Sequence, residues 1–116
     1  MTEKDRRLLV KIATKQSSLA LLVTEYKIKS TADSGSVSPV IRRGLVGFIA
    51  DIFELTVPLT DNTRKSLPFN MLVMKEFRNT ATHQYGSITD AIAFACLQHC
   101  VDKSLIKAIE QLISGK

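Results

Sequence analysis

Apolar residues recur along this chain three and four apart, as on one face of a helix, and nowhere alternate singly over a stretch rich in β-branched residues. From Thr2 onward, Leu8, Leu9, Ile12, Leu19, Ala20, Val23 and Tyr26 form one side, with Lys4, Arg7, Lys11 and Lys15 on the other. The Thr2 hydroxyl stands where it can cap free N–H groups, with Asp5 three residues on, so one long amphipathic helix is expected. Residues 30–38 (STADSGSVS) are small and polar and read as a loop. Ser38 as cap and Pro39 in the first turn then open a second helix running to about Val57. Its expected buried stripe is Val40, Ile41, Leu45, Phe48, Ile49, Ile52 and Phe53, and Gly44 and Gly47 would let a neighbouring helix come close.

Pro58 and the segment Thr60 to Lys65 interrupt the pattern, and Ser66 with Pro68 predicts a third helix carrying Phe69, Leu72, Val73 and Phe77. It should end across residues 78–86, with Gly86 as a left-handed stop. Ser87 or Thr89 can cap a fourth helix through Ala91, Ile92, Ala95, Cys96 and His99, and Asp102 a fifth through Leu105, Ile106, Ile109 and Leu112. The expected architecture is all-α, a single-domain bundle of four or five helices.

Composition sharpens this picture in three ways. A length of 116 residues suits one domain with a core that needs no disulfide or structural metal. The longest apolar run, Ala91 to Leu97, falls far short of the roughly 20 residues that span a bilayer, and Lys11 and Lys15 interrupt any signal-like stretch. No membrane association and a cytoplasmic location are therefore expected. Cys96 and Cys100 share a helical face with His99 between them, but lack the ligand spacing of a zinc site; buried thiols are expected, with no metal and no cofactor. The net charge of +5 modestly favours an anionic partner. With only 23% charged residues on so small a chain, some apolar surface should be covered by a second subunit, so a homodimer is expected.

The chain has no Gly-rich phosphate loop, no paired-histidine zinc motif and no serine elbow. Of its two histidines, His99 falls in an apolar helix and reads as a core or interface residue. His83 lies at a polar helix terminus, where the helix dipole favours a protonated imidazole, and follows Arg78 by five positions. Five residues turn a helix by about 140° beyond a full revolution, so an unbroken helix does not aim both side chains at one point. Either the helix loosens over Thr80 to Thr82, or two copies face each other across a two-fold axis and the pairs converge between subunits. The second arrangement is the expected one.

Arg78-x4-His83-x-Tyr85, with Asn79 directly after the arginine, resembles the signature of the HEPN superfamily and most closely that of its HepT branch. In that branch the motif closes a helix that follows a helix-rich half and precedes two further helices, the order read here. Val40-Ile41-Arg42-Arg43 is similar to the start of the family's second helix, whereas residues 1–35 match only in being helical. The resemblance implies a metal-independent RNA endonuclease, the toxin of a toxin–antitoxin pair whose partner is a small nucleotidyltransferase antitoxin. It implies attack of the ribose 2′-hydroxyl on the adjacent phosphate, leaving a 2′,3′-cyclic phosphate and a 5′-hydroxyl. His83 would be general base or acid, Arg78 would stabilise charge on phosphorus, and Asn79 would orient the phosphate or the imidazole. Tyr85 would accept AMP from the partner, and the added bulk and charge would silence the nuclease.

Arg43 and Lys75 are candidate RNA phosphate contacts. The chain departs from the family pattern at Gln84, where an acid is common, and on the second helix, where Arg43, Asp51 or Glu54 is left as the supporting group. Two other readings stand beside the nuclease: a non-catalytic helical partner or substrate-binding subunit of a nucleotidyltransferase, and a plain interaction domain in which Arg78 and His83 only cap and bridge helices.

Overall fold

The Thr2 hydroxyl accepts from the Asp5 N–H at 3.0 Å and starts α1 (Glu3–Glu25), the long helix its periodicity predicts. The computed structural model describes residues 1–69, 71–83 and 85–115, and all of their side chains except those of Met71, Thr82, His83 and Tyr85. Ser38 caps α3 (Pro39–Thr56), Thr89 caps α6 (Asp90–Cys100) and Asp102 caps α7 (Lys103–Ser114), each through a bond from the N–H three residues on. Helix α5 spans Met71–His83. All described secondary structure is helical.

Helix α3 is the hub of the bundle: α1 lies along it on one flank, α5 and α6 pack on others, and α7 closes on α1. Leu45, Val46, Ile49, Ile52 and Phe53 of α3 are buried against Leu9, Ile12 and Leu19 of α1, Met74 and Phe77 of α5, and Leu97 and Cys100 of α6 within one continuous core. Phe53 meets the rings of Phe69 and Phe77 edge-on, at centroid distances of 6.3 and 5.6 Å, which fixes how α5 and its approach settle on α3. A radius of gyration of 14.0 Å matches a single compact domain of this length.

Several expectations are corrected. The polar segment 30–38 contains a short helix, α2 (Thr31–Ser36), which packs on α6. Ser30 Oγ accepts from Asp33 N, and Asp33 returns the favour by accepting from Lys29 N at 2.8 Å, a reciprocal cap that orders a stretch too short for apolar periodicity. Residues 61–65 form a further short helix, α4, and Ser66 ends it rather than starting the next one. Val40 is 79% exposed and Leu72 80% exposed. Val40 stands about 140° from Leu45 on the helical wheel and Leu72 about 160° from Met74, so each leaves the buried stripe of its helix.

A side-chain carbon at Gly44 or Gly47 would meet nothing within 4 Å, so no helix crosses closely there. Gly86 belongs to a short 3-10 turn, Tyr85–Ser87, and the left-handed glycine cap is instead Gly115, after α7. Lys15, assigned to the solvated stripe, pairs with Asp51 of α3 at 3.3 Å and sits over the Phe48 ring. No helix among the described residues is long and apolar enough to cross a membrane.

Candidate phosphate-binding cleft

Arg78 lies on the face of α5 that turns toward the end of α3, because Met74 and Phe77, one turn before it, anchor that helix in the core. Its Nε donates to Glu54 Oε2 at 3.0 Å; the arginine side chain is 23% exposed and the glutamate 64%. Twenty-four positions separate the two residues, and neither helix alone reveals the contact. Of the three candidate supporting groups on α3, the structure therefore brings Glu54 to Arg78. Asp51 is committed to Lys15, and Arg43 is exposed near the start of α3, lining a separate cleft with Val37, Pro39 and Val40.

Lys75, one turn before Arg78, lines the same cleft of about 300 Å³. Its walls are Phe53, Thr56 and Val57 of the α3 end, Leu72 and Met74 of α5, and Arg64 of α4. Cationic heads thus meet an apolar wall, which suits a ligand with a phosphate and a flat apolar body. Asn79 is exposed and is not among the residues lining this cleft.

Positions 83 and 85 close α5 and open the following 3-10 turn, but the side chains of His83 and Tyr85 lie outside the described residues, as does Gln84. The α5 backbone bears directly on His83 all the same. It is helical without interruption from position 71 to position 83, so the loosening over Thr80 to Thr82 does not occur. The register therefore keeps position 83 about 140° around the axis from Arg78.

Arg64, which the sequence pattern did not single out, holds the corner between α3 and α4. It donates to the carbonyls of Thr56, Val57 and Leu59 and to Asp61 Oδ1, so four of its donor contacts close the end of α3. Arg42 plays a similar part at the other end: it pairs with Asp90 at 3.0 Å and donates to the Ile88 carbonyl, tying α3 to the start of α6.

Cys96 and Cys100 are buried free thiols. Burial pushes Cys96 up to about 11, and burial with the neighbouring Cys96 raises Cys100 further, so both stay protonated at neutral pH and neither is a nucleophile. His99 packs edge-on against Phe69, and its Nε2 is buried without a hydrogen-bond partner, consistent with a core role. Among the described residues no three His, Cys, Asp or Glu side chains converge as metal ligands would. Comparison of the chain with protein-family models, with curated proteins and with solved structures finds no match.

Proposed function

We propose that this protein is an RNA endonuclease of the HepT-like kind, acting as a homodimer, with Arg78 and His83 as its catalytic residues. The observation that carries the reading is Arg78 itself: an arginine held by Glu54 at the mouth of a cleft it shares with Lys75, on a helix that runs unbroken to position 83. A guanidinium retains donors for phosphate oxygens after its Nε has engaged a carboxylate, and the Glu54 contact fixes the plane in which those donors lie. Because the unbroken helix separates positions 78 and 83 around its axis, the arginine of one subunit works with the histidine of the other. The exposed apolar side chains Leu72 and Val73 on α5 supply a face for that second copy.

In the reaction, one imidazole takes the proton of the ribose 2′-hydroxyl as its oxygen bonds to phosphorus. A second imidazole gives a proton to the departing 5′-oxygen as its bond to phosphorus breaks. Arg78 and Lys75 stabilise the charge that builds on the non-bridging oxygens. The products are a 2′,3′-cyclic phosphate and a 5′-hydroxyl, and DNA, which lacks the attacking hydroxyl, is not cut. Asn79 orients the scissile phosphate or the imidazole, and Arg43 supplies a more distant phosphate contact. AMP added to Tyr85 by a nucleotidyltransferase antitoxin blocks the groove with bulk and negative charge.

The test is cleavage of a generic single-stranded RNA by purified protein in the presence of a chelator, after intact mass has shown no added AMP. His83→Ala should slow cleavage by about 100-fold or more, and Arg78→Lys should be nearly as damaging because the fork of donors is lost. A stable complex with a nucleotidyltransferase but no cleavage by unmodified wild type would replace the nuclease with the non-catalytic partner.

A further inference from the structure

The Arg78 cleft has a neighbour. A second cleft of about 330 Å³ is lined by Asp61, Arg64, Lys65, Leu67 and Phe69, and Arg64 lines both. The two are therefore continuous around one side chain, and together they form a channel that passes from α5 across the α3–α4 corner to the segment leading into α5.

The charge along this channel is uneven in an informative way. Asp61 is held by Arg64 at 2.9 Å and Glu54 by Arg78 at 3.0 Å, so both carboxylates are already committed to cations. Arg64 spends its donors on backbone carbonyls and contributes charge without free hydrogen-bonding capacity. Lys65 and Lys75 are exposed and have no ion-pair partner among the described residues, one in each cleft. Apolar walls accompany each lysine: Phe53, Val57 and Leu72 beside Lys75, and Leu67 and Phe69 beside Lys65. A repeating unit of one cation and one apolar surface is the complement of a nucleotide, and two such units in series complement two consecutive nucleotides with their bases unstacked.

We infer that the two clefts are adjacent nucleotide subsites, so that the substrate is a single strand of RNA laid from Arg78 past Arg64 to Lys65. This rests on the nuclease reading for its first subsite, and adds the direction in which the strand leaves it. A duplex cannot follow the channel, because its bases are paired inward and present only phosphates to the apolar walls.

The test measures binding and cleavage separately on the full-length protein. A fluorescein-labelled oligoribonucleotide, single-stranded or annealed to its complement, is titrated by anisotropy across a salt series with chelator present. Lys65→Glu should weaken single-strand binding at least 10-fold and lower the salt slope by about one. Lys103→Glu makes the same change in charge at the start of α7, where α1 presents Gln16 rather than Asp5, and should leave binding as it is. The duplex should bind more weakly than the single strand, and Lys65→Glu should matter little to it. Circular dichroism of Lys65→Glu, exposed on its short helix, controls for folding. If Lys65→Glu binds the single strand like wild type while Arg78→Ala does not, the second subsite is wrong and the nuclease stands. If single strand and duplex bind and are cut alike, the single-strand channel is wrong. Wild type that neither binds nor cuts either RNA overturns both.

Discussion

Asp5 shows how a single residue can outweigh its place in a pattern. It occupies the first turn of α1, where an acid favours the positive end of the helix dipole, yet it is fully buried. Its carboxylate accepts from the Thr60 N–H at 3.0 Å, the Thr60 hydroxyl at 2.6 Å and the Thr63 hydroxyl at 2.8 Å, stitching the start of α1 to the start of α4. Burial alone pushes the carboxyl up, but the bonds from the Thr60 side chain and backbone, Thr63 and the Thr2 N–H outweigh it and hold the group down to about 2. A carboxyl depressed in the folded state contributes stability above its ordinary range, and that contribution disappears as pH falls through the folded value. The stability advantage of wild type over Asp5→Asn, measured by urea unfolding, should be constant above about pH 5 and shrink between pH 4 and 2. Asp5→Ala, which leaves the Thr60 N–H and both hydroxyls without their acceptor, should cost about 2 kcal/mol at neutral pH. An advantage that does not change with pH would mean that Asp5 is not charged in the native state.

At the scale of elements, what the sequence makes legible is decided by range. The caps Thr2, Ser38, Thr89 and Asp102 act on N–H groups three residues away, and each is readable from its own neighbourhood. The site follows the same rule: Arg78 and Lys75, one turn apart on α5, could be read from the local pattern, whereas Glu54 and Arg64 come from elements that only the folded chain brings near. Gln16 was invisible for a different reason. It is buried within an apolar stripe because its Nε2 donates to the Cys100 carbonyl at 2.8 Å, at the end of α6. Helix α2 escaped because six residues hold too little periodicity to separate a helix from a polar loop.

The packing of α2 on α6 has a testable joint. A side-chain carbon at Gly35 would fall 2.4 Å from an Asp90 carboxylate oxygen, and the same carboxylate is the partner of Arg42. Gly35→Ala alone should therefore gain little, since the rise in helix propensity is offset by displacement of Asp90 from Arg42. With Asp90→Ala already in place the collision is gone, and Gly35→Ala should then stabilise by about 1 kcal/mol. The two substitutions together measure the coupling in a double-mutant cycle of thermal unfolding. Equal effects of Gly35→Ala in both backgrounds would show that α2 does not rest on the Asp90 carboxylate.

For the whole molecule, the decisive feature is that α5 is straight where the proposed chemistry needs a convergence. Leu72 and Val73 of α5, Val57 at the end of α3 and Ile92 of α6 are all exposed apolar side chains, with Val57 and Leu72 sharing one cleft and Val73 and Ile92 another. Lys75 and Glu76 stand side by side on the exposed part of α5, so a two-fold axis near them would set each lysine opposite the partner copy's glutamate and satisfy both pairs at once. A dimer built this way makes each reactive pair from one arginine and one histidine on different chains. Arg78→Ala and His83→Ala should then each be inactive alone, yet regain activity when the two are co-expressed and the mixed dimer is purified through different tags. The mixed dimer keeps one intact Arg78–His83 pair across the axis and should show about half the activity of wild type, whereas random mixing of the two variants gives about a quarter. If each subunit carried its own pair, no mixture would recover any activity, because every pair in it would lack one member. Cleavage of the labelled RNA by the purified mixed dimer therefore distinguishes an active centre shared between two chains from one contained within each.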